Sequence, residues 1–249
     1  MSKFLTRSSS FIHYLPREMQ SVYELDQDSF FYRAFKANEK TACEVVKTQY
    51  LQTMKVGNLN PNYYGGLTVL DSYYCYRASD TLKSLLCNID KAADKVMYVL
   101  TDGMISGYDD YNSTFLKDWH IREPDSVTPT ETMRRYAEHE HNTMCYEDPI
   151  YTLVAYIPCY YLWPWFSEKI MSDPNYAPGV YGDWFSGNYY WPDSYDSALK
   201  IGNLIDGWQK AGKPFDEAKG FEVYGKSMNY ELEVFTEAYT GDEEKLRRK

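Results

Sequence analysis

The sequence predicts an all-α protein, a bundle of seven to nine helices in a single domain. Three observations carry that expectation. Apolar residues recur at helical spacing along most of the chain, as at Leu67, Leu70, Tyr74, Ala78, Leu82 and Leu85. No stretch sustains the two-residue alternation of a half-buried strand. Turn residues, among them Asn60-Pro61, Thr128-Pro129 and Asp173-Pro174, fall between the periodic stretches rather than inside them.

Residues 1–16 begin with the polar run Ser2–Ser10 and hold no apolar stretch long enough for a signal peptide, so a disordered N-terminus is expected. The helical domain then spans 17–240. Its first pattern, over 17–54, places Val22, Leu25, Tyr32 and Phe35 and then Val45, Val46, Tyr50, Leu51 and Met54 at helical intervals. Gly57 to Asn60 make a turn, and Pro61 suits the first turn of a helix over 61–88 despite the Gly65-Gly66 pair. Further helices are expected over 92–100, 107–121 and 130–144. A long one follows over 149–171, closed by Asp173-Pro174-Asn175. An aromatic segment, 181–190, forms a short helix and a loop, 194–211 another helix, and 215–239 the last. Residues 241–249 are a charged, solvated tail.

Composition narrows the function. The formal charge is −10 with a pI near 4.9, which argues against a phosphate-binding surface and against nucleic acid as a partner. Five widely spaced cysteines with no CxxC pair form neither a disulfide framework nor a zinc signature. A reducing, cytoplasmic setting fits them best. The uncharged run 149–167 approaches membrane-spanning length, but Pro158, Pro164 and four tyrosines make it a core helix. Tyrosine is abundant, 26 of 249 residues, roughly three times ordinary usage, and suits pockets and interfaces as well as cores.

Within that uncharged run Cys159 is the side chain with nucleophilic potential, and Trp163, four residues on, shares its helix face. Asp71 interrupts an apolar helix face and shares it with Tyr74, where an unpaired carboxylate would be costly. A carboxylate beside a ring suits an amino-substituted heterocycle. On the last helix one of Glu231 and Glu233 faces inward, and burial would raise its pKa into the range of a proton donor. His139-Glu140-His141 is read as helix surface, because residues two apart diverge by roughly 200° and cannot chelate one ion together. One Glu-x-x-His pair, Glu138 with His141, has no second to face it, so no metal centre is expected. His13 as a haem ligand would require an ordered N-terminus.

Taken together, Gly57-Asn58-Leu59, Leu70-Asp71-Ser72-Tyr73-Tyr74, Pro158-Cys159-Tyr160-Tyr161-Leu162-Trp163, Tyr181-x-x-Trp184 and Tyr230-Glu231 resemble, in this order, the motifs of the TenA/thiaminase II family. The resemblance spans about residues 50–239 and implies the haem-oxygenase-like helical fold. It implies cysteine-dependent hydrolysis of thiamine or of an aminopyrimidine breakdown product, without metal or other cofactor. Cys159 would be the nucleophile and Glu231 the proton donor or acceptor. Asp71 would bind the ring nitrogen and amino group, Tyr74 would border the ring, and the subunits would assemble as a homo-oligomer.

The chain also departs from the family pattern. Trp163, followed by Pro164, stands where a tyrosine is usual. The pocket tyrosine expected beyond Trp184 aligns onto Asn188, with Tyr189 and Tyr190 just after it, so Tyr189 is the substrate-binding candidate there. A tyrosine common on the preceding helix falls near Arg134, which makes Arg134 a further candidate. These changes leave a second reading open: a protein of this fold that binds a small aromatic ligand without turning it over.

Overall fold

The computed structural model describes residues 26–118, 120, 123–189 and 193–247, which hold nine α-helices and no strand. The expected N-terminal disorder and His13 lie outside the described residues, as do Ile121 and Tyr190. The helices are α1 (Phe30–Val46), α2 (Gln49–Lys55), α3 (Pro61–Asn88), α4 (Lys95–Asp118), α5 (Glu131–Tyr146), α6 (Pro149–Met171), α7 (Gly182–Asn188), α8 (Asp196–Lys210) and α9 (Glu217–Arg247).

Several helix starts follow from capping chemistry. Asn60 accepts from the Asn62 backbone N–H at 2.9 Å, and Pro61 opens α3 with a φ already suited to the helix. Thr130 caps α5 through the Met133 N–H at 3.2 Å, and Ser29 caps α1 through the Tyr32 N–H at 3.3 Å. The continuous helix expected through residue 54 is instead broken at Lys47-Thr48, where Thr48 takes an extended ψ of 143° and starts α2. Conversely, the two helices expected over 92–100 and 107–121 are one. Gly103 and Gly107 cost helix propensity, but α4 lies along α3, and packing outweighs that cost. The expected tail begins as helix too, since α9 runs to Arg247.

α6 is the axis of the bundle. It is apolar on every side and buried on every side, with α1, α5, α7, α8 and α9 packed around it. It passes through Pro158 and Pro164 unbroken, although each proline forfeits one backbone hydrogen bond. α9 runs parallel to it: the Tyr151 hydroxyl accepts from the Asp216 N–H at 2.6 Å, Trp163 meets Glu231, and Phe166 meets Phe235. α1 sits close against α8 and α9. A Cβ on Gly202 or on Gly220 would come within 2.8 Å of the Phe31 and Phe30 rings, so small residues permit that approach. No helix among the described residues is long and apolar enough to cross a membrane.

Candidate active site

Five helices, α3, α4, α5 and the parallel α6–α9 pair, bring the site together. Of the two candidate glutamates on α9, Glu231 faces inward and is 2% exposed, while Glu233 faces out and pairs with Arg135 at 3.3 Å. Each Glu231 oxygen has its own donor. The Tyr136 hydroxyl of α5 donates to Oε1 at 2.9 Å, and the Trp163 indole N–H of α6 donates to Oε2 at 3.1 Å. Burial pushes the Glu231 carboxyl up to about 7, against the pull of those two donors, and the Asp71 charge adds to the rise.

Asp71 on α3 is held in the same way. The Tyr111 hydroxyl of α4 donates to Oδ2 at 2.6 Å, and the Cys75 thiol lies 3.9 Å from Oδ1. Burial pushes this carboxyl up to about 6, and both donors restrain it. Near neutral pH, then, Asp71 and Glu231 can each hold or release a proton, as general acids and bases must.

Cys159 stands among these groups. Burial raises its thiol well above the ordinary range; the Glu231 and Glu140 carboxyls raise it further, a hydrogen bond from the Tyr74 hydroxyl works against them, and Asp71 adds a smaller push. The Tyr108 hydroxyl lies 3.8 Å from Sγ. Asp71, Tyr74, Cys159, Trp163 and Glu231 therefore meet in one cluster although they come from three helices. Asp71, Tyr111, Cys159 and Tyr160 are half-buried rather than fully enclosed. The surface depression lined by Arg77, Asp80, Lys83, Ser84, Cys87 and His141 is a separate feature, open to solvent.

Two expected binding residues stand elsewhere. Arg134 lies on the outer face of α5, paired with Glu131 at 2.6 Å and with Glu138, both on its own helix. Tyr136, two residues on, takes the inner face, because a step of two turns a helix by roughly 200°. Tyr189 places its hydroxyl 3.2 Å from Glu168, nine residues along α6 from Cys159 and so roughly 13 Å away by helical rise. Asn188 donates to the Trp184 carbonyl at 2.8 Å, in the last turn of α7. That segment reaches the cluster instead through Trp184, whose ring lies 5.6 Å from Trp163 and stacks on Phe166.

The surface reading of His139-Glu140-His141 is corrected for two of its three residues. His139 is buried, with Nε2 3.3 Å from the Val223 carbonyl, and burial lowers it to about 4. Glu140 is 1% exposed and accepts from the Tyr74 hydroxyl at 2.6 Å. Its position was readable: it falls in register with Met133, Tyr136, Ala137 and Met144 on the buried face of α5. Among the described residues no group of His, Cys, Asp and Glu is arranged to hold a metal ion.

No protein-family model matches the sequence, and no curated protein matches it. The fold does have solved counterparts. A protein described as a TenA family transcription regulator, from Silicibacter sp. TM1040, superposes with a TM-score of 0.71 at 11% identity, covering 85% of this chain and 96% of its own. The fold is that of the TenA proteins. A TenA homologue from P. horikoshii OT3 matches with a TM-score of 0.68 at 14% identity, over 86% of this chain and 99% of its own. A candidate TenA-like thiaminase from Sulfolobus solfataricus P2 gives 0.60 at 12% identity, over 83% and 94%. The TenA-like bundle is consistent with the haem-oxygenase-like class, and α3, α4, α5, α6 and α9 of that bundle carry the cluster around Cys159.

Proposed function

We propose that this chain is a cysteine-dependent hydrolase of an aminopyrimidine, of the kind that recovers the pyrimidine of degraded thiamine. The observation that carries this reading is the meeting of one thiol, Cys159, with the Asp71 and Glu231 carboxyls in a buried, tyrosine-lined cluster. Asp71 would accept from the amino group of the ring and share a proton with the neighbouring ring nitrogen. Aromatic side chains such as Tyr74 and Tyr108, which meet edge to face, would border the ring.

In the reaction the thiol gives up its proton to Glu231 as its sulfur bonds to a ring carbon. The exocyclic carbon–nitrogen bond then breaks, and Glu231 delivers the proton that lets the amine leave as ammonia. Water adds to the exposed methylene, its proton returns to Glu231, and the sulfur–carbon bond breaks to restore the aromatic ring and the thiol. The balance is one water consumed, one ammonia released and a hydroxymethyl group in place of an aminomethyl group. The carboxyl near 7 suits both the giving and the taking.

A purely ligand-binding role is favoured by one observation: burial and carboxylates raise the thiol, which opposes a resident thiolate. The test supplies native protein with 4-amino-5-aminomethyl-2-methylpyrimidine in heavy-oxygen water. Hydrolysis yields ammonia and labelled hydroxymethylpyrimidine in equal amounts. Binding of the pyrimidine with neither product appearing, for it or for thiamine, would replace the hydrolase with the binder.

A further inference from the structure

Serines and threonines inside these helices commonly turn back on a carbonyl of the preceding turn. Thr68 donates to Tyr64 at 2.6 Å, Thr143 to His139 at 2.8 Å and Thr236 to Leu232 at 2.7 Å. Ser227 on α9 does not. It is fully buried, and its Oγ has no hydrogen-bond partner among the described residues. The carbonyl four residues back belongs to Val223, and it is His139 Nε2 that lies 3.3 Å from that oxygen. A buried hydroxyl without a partner is costly, and an alanine would fill the same place without that cost.

Where Ser227 stands gives the hydroxyl a use. Helices α6 and α9 run parallel and in register: the Trp163 indole donates to Glu231 at 3.1 Å, and the Phe166 and Phe235 rings lie 5.2 Å apart. Four residues back along α6 from Trp163 is Cys159, and four back along α9 from Glu231 is Ser227. Both steps cover one turn, roughly 6 Å along parallel axes, and keep the same helix face. Ser227 therefore lies opposite Cys159 and one turn from Glu231. Thr101, Thr152 and Tyr224 also carry buried hydroxyls without a partner, but none of them is a single turn from a carboxyl of the cluster.

We infer that Ser227 is a substrate-binding residue whose hydroxyl bonds the heteroatom on the exocyclic carbon of the pyrimidine. The inference deepens the proposed function and rests on it. There the sulfur of Cys159 attacks the ring and Glu231 protonates the leaving amine. The exocyclic carbon and its nitrogen must then lie between α6 and α9, in the space that Ser227 borders.

A hydroxyl suits both ends of the reaction because it donates and accepts. It accepts from an N–H of the amine before hydrolysis and shares a hydrogen bond with the alcohol afterwards. An ionised carboxylate can only accept. Ser227 thereby selects ligands with a small hydrogen-bonding group at that carbon, amine or alcohol, over those with a bare methyl. The unpartnered oxygen is the cost that the ligand-free protein bears for that selection.

The test compares two ligands, neither of which carries the scissile amine. One is 4-amino-5-hydroxymethyl-2-methylpyrimidine; the other, 4-amino-2,5-dimethylpyrimidine, lacks only the terminal oxygen. Calorimetry on native protein is expected to show about tenfold tighter binding of the first. Ser227→Ala removes most of that preference: affinity for the first falls by about tenfold, and affinity for the second stays within about twofold. Urea unfolding of the ligand-free variant has an unchanged or higher midpoint, because the deleted hydroxyl had no partner to lose. A preference that survives in Ser227→Ala, or an equal weakening of both ligands, overturns the inference and leaves the hydrolase reading standing. A destabilised or unfolded Ser227→Ala also overturns it, since the hydroxyl would then serve the fold. Native protein that binds neither pyrimidine removes the proposed function, and this inference with it.

Discussion

The Trp163 indole N–H donates to Glu231 Oε2 at 3.1 Å while the Tyr136 hydroxyl holds Oε1 at 2.9 Å. The indole thus occupies the position where the family resemblance anticipates a phenol and supplies the same kind of donor. The exchange keeps Glu231 oriented.

Removing that donor has a directional consequence. In Trp163→Phe the carboxyl loses a bond that favours its charged form, so its pKa rises above about 7 and the limb of the pH–rate profile that it governs moves to higher pH. A hydrogen bond to a charged group contributes about 1.5–3 kcal/mol, so activity at neutral pH falls by roughly ten- to a hundredfold. Trp163→Tyr, which restores a donor, recovers most of it. Steady-state rates of ammonia release between acid and alkaline pH read out both effects.

The raised carboxyls also tie stability to pH. Glu231 titrates at about 7 in the folded protein against an ordinary 4.5. Its contribution is therefore complete below the unfolded value and is lost as pH rises through the folded one. The displacement corresponds to about 3 kcal/mol at most. Relative to Glu231→Gln, native protein loses up to that amount between acid and mildly alkaline pH. His139, lowered to about 4, works in the other sense over the acid range, and comparison with the variant cancels it. Urea unfolding of both proteins at a series of pH values measures the difference.

Asp71 is expected to govern affinity rather than fold. Asp71→Asn keeps the Tyr111 hydroxyl partnered but gives up the charged acceptor for a ring amino group. Calorimetric affinity for the aminopyrimidine falls by on the order of ten- to a hundredfold. Arg134→Ala makes the complementary case. The guanidinium is exposed and paired along its own helix, so affinity is unaltered and stability changes by less than about 1 kcal/mol.

Much of this was legible in the sequence, for reasons that differ by residue. α3 and α6 start at proline and end where polar turn residues begin, so local chemistry marks both their ends. The last helix offered Glu231 or Glu233, and the family resemblance chose between them, whereas Asp71 announced itself as a carboxylate in apolar register, the one pattern a solvated helix face does not need. Glu140 carries the same mark, but the flanking histidines drew the reading towards metal chelation and then towards solvent. Tyr108 and Tyr111 were hidden for a different reason. They are separated from Asp71 and Cys159 by tens of residues, and only the packing of α4 along α3 gives them partners. Arg134 shows the limit of aligning by motif alone: an offset of two residues exchanges the inner face of a helix for the outer one.

The central claim, that Cys159 and Glu231 perform hydrolysis in this cluster, is tested most directly by turnover in Cys159→Ser and Glu231→Gln. The measurement is the rate of ammonia and hydroxymethylpyrimidine formation from 4-amino-5-aminomethyl-2-methylpyrimidine, alongside calorimetric affinity for the same compound. The account predicts that each variant loses at least about a hundredfold in turnover while binding and fold stay within a few-fold of native. Native-like turnover in Cys159→Ser, or an aminopyrimidine bound by native protein and never hydrolysed, would contradict it.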